Sequence, residues 1–112
     1  MKHFSDTLLN QMMDGNQEEI ANIAKMFIKL APQMIADIDE AINNNEWRMA
    51  GDAAHKIKSS INLLQIEKAL PLALFIEING RKEINIEEIK KSFKKLVMVL
   101  TLAIDEMKLQ YL

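Results

Sequence analysis

The sequence predicts an all-α protein: an antiparallel up-down-up-down four-helix bundle with a short extra N-terminal helix. Three observations carry this expectation. Helix breakers are sparse, with three glycines and two prolines in 112 residues. Hydrophobic residues form 49% of the chain and recur every three or four positions over long stretches. The punctuation divides the chain into one short and four long segments joined by short turns, which favours antiparallel neighbours. Residues 1–112 are expected to form one domain, since neither a Ser/Gly-rich linker nor an internal repeat interrupts them.

The first helix is expected from Ser5 to Met13, with Ser5 as N-cap and Phe4, Leu8, Leu9 and Met12 on its apolar side; Asp14-Gly15 ends it. Asn16, followed by Glu19 three residues on, has the form of a capping box and opens a second helix. Apolar residues from Ile20 to Ile42, Leu30 and Met34 among them, keep helical spacing as far as Asn43. Pro32 lies inside that pattern and predicts a kink rather than a stop. Asn43-Asn44-Asn45 is the next turn, and a third helix follows from about Glu46 to Leu64. Pro71 belongs in a first turn, so a fourth helix begins near Glu67 or Lys68, with Leu70, Leu74 and Ile78 as its apolar face and Asn79-Gly80 as its stop. Asn85 with Glu88 repeats the capping pattern and starts a last helix carrying Ile89, Phe93, Leu96, Val97, Leu100, Ile104 and Met107. Met34, Met98 and Met107 are spaced as core filler, and Trp47 is expected at the end of the bundle.

Composition excludes several classes of function. There are no cysteines, so disulfides, thiolate metal sites and cysteine nucleophiles are absent. A formal charge of −2 argues against a nucleic-acid binder, which needs a strongly basic face. The uncharged run Leu96 to Ile104 is far below the ~18 apolar residues of a spanning segment. The first residues lack the apolar stretch of a signal peptide. A cytoplasmic protein with no membrane insertion is expected.

The third helix departs from ordinary patterning. At about 100° per residue, Ala50, Ala54, Ile57, Ile61 and Leu64 cluster as a core stripe, and His55 lies about 120–140° from its centre. His55 is thus predicted to face solvent, with Arg48, Gly51, Asp52, Ser59 and Asn62 beside it and Lys58 one turn on. Gly51 and Ser59, one turn either side, are poor helix formers, and a helical glycine costs on the order of 1 kcal/mol. Short neighbours would leave the ring standing clear for another macromolecule. A neutral imidazole is a competent nucleophile near neutral pH, and a nearby cation suits a phosphoryl group's oxygens. Lys58 can supply that cation and Lys56 a second, less well directed one. No glycine-rich phosphate loop or Mg²⁺-binding carboxylate pair accompanies them, so a partner would have to bring the metal.

Ala54-His55-Lys56-Ile57-Lys58-Ser59-Ser60 resembles the His-x-Leu-Lys-Gly-Ser signature of histidine-containing phosphotransfer (HPt) domains. Leu70 and Glu77 fall where that family tends to carry a Leu and a Leu-Glu pair, and Phe27, the Pro32 region and Ala41-Ile42 are similar to its second helix. The likeness runs from about Leu8 to Leu100. It implies a four-helix phosphocarrier of a multistep phosphorelay, not an enzyme acting alone. His55 would accept a phosphoryl group from one receiver-domain aspartate and pass it to another, with Lys58 stabilising the phosphoryl oxygens. Arg48, Gly51, Asp52, Lys56, Ser59 and Asn62 would contact the partner. The chain itself would need no cofactor or metal, Mg²⁺ belonging to the receiver. The expected partners are receiver domains and a hybrid sensor histidine kinase, and the chain is expected to be monomeric. Met1 is read as favouring a free-standing protein.

Ser59 and Gln65 stand where the family most often has glycine, and Ile66 where it has a small residue. These departures motivate a second reading, a non-catalytic four-helix module that binds a receiver without transferring phosphate. His3 has no assigned role, and with only two distant histidines a metal- or haem-binding bundle is disfavoured. Lys90, Lys91, Lys94 and Lys95, near Arg81 and Lys82, read as a solvated face paired with Glu87 and Glu88, with an acidic partner as the other reading.

Overall fold

A computed structural model describes residues 2–112 and folds them into helices and turns. The elements are α1 (Thr7–Met12), α2 (Gln17–Asn43), α3 (Trp47–Leu63), α4 (Leu70–Lys82) and α5 (Ile86–Tyr111). The all-helical expectation holds. The principal interfaces are α2–α3, α3–α4, α4–α5 and α2–α5, with α1 lying against α2. Ile38, Ile57, Ile61, Ile76, Ile89, Leu96, Leu100 and Met107 are fully buried in one continuous core. Each such side chain contributes about 1.5–3 kcal/mol of transfer free energy. Among the described residues, no helix is long and apolar enough to cross a membrane.

Local chemistry sets the boundaries. Asn16 caps α2 by accepting from the Glu19 backbone N–H at 3.1 Å, and Glu18 and Glu19 add negative charge at the positive end of the helix dipole. α2 runs through Pro32 without ending. α1 is shorter than its pattern suggested: Asp6 precedes it, and Ser5 Oγ accepts from the Thr7 N–H at 3.2 Å. The N-terminal strand of chain is tied to α5. His3 bonds Glu106 through both backbone N–H and ring, Phe4 is buried, and the Tyr111 hydroxyl donates to Asp6 at 3.3 Å. Burial, the Asp6 charge and that hydrogen bond push the Tyr111 phenol up to about 12.

α4 differs most from expectation. It starts at Leu70, with Pro71 in its first turn as predicted, but passes Asn79-Gly80 and ends after Lys82. The stop is Glu83, in the left-handed region at φ 58°, whose N–H returns to the Gly80 carbonyl. Gly80 instead permits contact with α3: a Cβ there would sit 2.6 Å from the Trp47 carbonyl oxygen. The buried face is Ala73, Ile76, Glu77 and Gly80, whereas Leu74 and Ile78 face outward. Gly80 belongs to this face because it lets the α3 and α4 backbones approach closely. Asn85 does not cap α5 through its side chain. It donates to Asn79 Oδ1 at 2.8 Å, and its own backbone is left-handed at φ 56°. Three further apolar assignments change. Met12 and Leu30 are exposed, and Met98 is 67% exposed rather than core filler.

Candidate functional site

The site is built where α3 and α4 touch. Gly51 of α3 and Gly80 of α4 face each other: a Cβ on Gly51 would lie 2.8 Å from the Glu77 carbonyl oxygen and 3.0 Å from the Arg81 nitrogen. Gly51 is therefore buried between the helices, which corrects its expected place on the outer, partner-facing surface. Its small size serves α4 rather than a visiting protein. The close approach sets two residues of α4 one turn apart, Glu77 and Arg81, against two of α3, His55 and Lys58.

Glu77 is the hub. Its Oε2 accepts from His55 Nδ1 at 2.8 Å and from Arg81 at 2.9 Å, and its Oε1 accepts from Lys58 Nζ at 2.6 Å. Arg81 Nε also donates to Asp52 Oδ1 at 3.0 Å, returning to α3. The Glu77 side chain is 8% exposed and the imidazole 52%. Burial alone would raise the Glu77 carboxyl, but hydrogen bonds from Lys58 and His55, together with their charges, lower it below its ordinary value. The carboxylate is thus ionised at neutral pH and can only accept. In the neutral imidazole the proton therefore sits on Nδ1, and the lone pair on Nε2 is left for an incoming electrophile.

The remaining expected residues divide into two sets. His55 is exposed, as the helical wheel predicts. Arg48, Asp52, Lys56, Ser59 and Asn62 are exposed too, Arg48 lying 3.5 Å from Glu83. Lys58 is held on Glu77, beside the ring rather than free. Gln65 occupies a left-handed turn position at φ 48°, and its Oε1 accepts from the Leu8 N–H at 2.9 Å, so the bulky side chain ties α1 to the α3–α4 turn. On the other flank, α2 and α3 border two clefts. Met26, Leu30, Met34 and Leu63 line an apolar one of about 240 Å³. Asp37, Glu40, Glu46, Asp52 and Lys56 line a charged one of about 390 Å³.

Arg81 belongs to this site rather than to the lysine patch of α5, and neither it nor Glu77 stood out by spacing from His55. One signal was present: Glu77 is the single charge within the apolar run Leu70 to Ile78. A buried carboxylate in such a run requires cationic or N–H partners from another element.

Comparison with known proteins returns no match: no family model, no curated protein and no solved structure aligns significantly with the chain.

Proposed function

We propose that this chain is a phosphohistidine carrier, an HPt-like four-helix bundle of alternating helix direction, with His55 as the acceptor. One observation carries the reading: an exposed imidazole whose Nδ1 is held by a buried carboxylate, leaving Nε2 outward. A receiver domain with its own Mg²⁺ docks over the α3 surface. The Nε2 lone pair attacks the phosphorus of the aspartyl phosphate in line, and the P–O bond to the aspartate breaks. Its electron pair stays on the departing carboxylate. The positive charge that develops on the ring is balanced by Glu77, to which Nδ1–H already donates. Lys58 and Arg81 supply cations beside the ring, and Lys58 keeps two further N–H donors for phosphoryl oxygens. Transfer onward is the reverse reaction on a second receiver. The apolar cleft of Met26 and Leu30, on the α2 flank of α3, offers the docking partner a second area of contact.

The test is incubation with phosphorylated receiver domains. An acid-labile label is expected on the native chain and none on His55→Gln with unchanged helix content; equal labelling of the variant refutes the proposal. A second reading, receiver binding without transfer, draws on the engagement of Lys58 by Glu77. Its signature is a stable complex with no label.

A further inference from the structure

We propose that the outer face of α5 is a self-association surface, on which a second copy of this chain packs its own α5 antiparallel. Met98, Leu102 and Leu109 are 67%, 49% and 87% exposed. At 100° per residue they fall within about 40° of one another. The buried line Leu96, Leu100, Ala103 and Met107 lies on the opposite side of the helix. The apolar stripe therefore has no partner within the fold.

Its charge pattern specifies what covers it. Lys91, Lys94 and Lys95 precede the stripe and Asp105 lies within its second half, all four exposed. Among the described residues, none of the four takes part in a salt bridge. A two-fold axis near residue 100 sets Met98 against Leu102 of the other copy and Lys91 against its Leu109. Lys94 and Asp105 are eleven residues apart, about three turns, and so share one side of the stripe within about 20°. The same axis brings Lys94 of each copy to Asp105 of the other, twice per dimer. A parallel pairing would instead stack lysines on lysines. The pattern is self-complementary, as a closed two-fold contact requires.

The contact from Lys91 to Leu109 spans about five turns, or ~27 Å. That places it at the small end of specific interfaces, roughly 1,000 Å², and makes the dimer a weak one. α5 shares its principal interfaces with α2 and α4. His55 lies on α3, so the pairing leaves both imidazoles open. A weak dimer revises the monomer expected from sequence, where Met98 was assigned to the core.

Sedimentation velocity on the full chain tests this, up to a concentration on the order of 100 μM, the regime of interfaces this small. The mean mass is expected to rise from monomer towards dimer, and Met98→Lys to abolish the rise. Lys94→Glu and Asp105→Lys are each expected to weaken association roughly tenfold, and the two together to restore it. All four sites are exposed, and circular dichroism checks that each variant keeps its helix content. A monomer at every concentration overturns the proposal. So does a dimer indifferent to Met98→Lys, or a double reversal as weak as either single change.

Discussion

Glu77 accepts from Nδ1 of His55 across 2.8 Å, joining a buried carboxylate on α4 to an exposed ring on α3. The bond fixes both the tautomer and the direction of the ring. It also makes the reactivity of an exposed side chain depend on the packing of two helices, because Glu77 reaches His55 only where Gly51 and Gly80 let the backbones meet.

Glu77→Gln keeps the shape of the side chain and removes its charge. Lys58 and Arg81 then lose their shared anion. A stability loss of about 1–2 kcal/mol is expected in urea melts, moderated because both cations are partly exposed. Phosphoryl transfer should slow roughly tenfold or more, since the charge on the ring is no longer balanced. A variant as stable and as fast as the native chain would remove Glu77 from the site.

Gly80→Ala separates a packing glycine from an ordinary helical one. In an unconstrained helix the change stabilises by roughly 0.5–1 kcal/mol. Here the new methyl meets backbone that cannot swing aside, the Trp47 carbonyl oxygen at 2.6 Å and the Gly51 nitrogen at 3.0 Å. The sign should reverse, to a loss of about 1–3 kcal/mol, accompanied by slower transfer as Glu77 moves away from His55. Stabilisation on thermal melting would contradict the close approach.

Glu83→Gly acts at the other end of α4. Glu83 holds a left-handed conformation at φ 58° that costs a side-chain-bearing residue roughly 1 kcal/mol. Its ion pair with Arg48, 3.5 Å long and on the surface, is worth little. The variant should therefore gain about 0.5–1 kcal/mol in urea melts.

The acid limb of stability follows from two carboxylates. Glu77 and Glu106 both lie below their ordinary value of 4.5: burial opposes the shift, and bonds from Lys58 and His55, or from His3, prevail. A lowered folded-state value means that the unfolded chain binds protons more readily. This contribution is complete above 4.5 and is lost as pH falls below it through the folded-state values. Urea melts across that range should show stability falling with acidity, with a shallower slope in Glu77→Gln. An identical slope in that variant would show that Glu77 carries no linked proton.

Much of the scaffold was legible because local chemistry decided it. Asn16 caps α2 as its spacing with Glu19 predicts, Pro71 marks the first turn of α4, and the wheel places His55 outward. The reading failed where tertiary contact overrode a local signal. Gly80 looks like a stop and Gly51 like clearance for a partner, yet each glycine answers to the other across an interface that spacing within one helix cannot reveal. α4 is apolar on nearly every side, so periodicity could not choose between Leu74 and Ala73 as its buried side. Glu77 and Arg81 became functional candidates only when α4 was laid against α3.

The most direct measurement is the position of the phosphoryl group after incubation with a phosphorylated receiver domain, mapped by mass spectrometry and then by nitrogen-resolved NMR of the modified ring. Phosphate on Nε2 of His55, with Nδ1 still donating to Glu77, is the expected result. Label on Nδ1, on another residue, or nowhere in a chain that binds the receiver would contradict the carrier role.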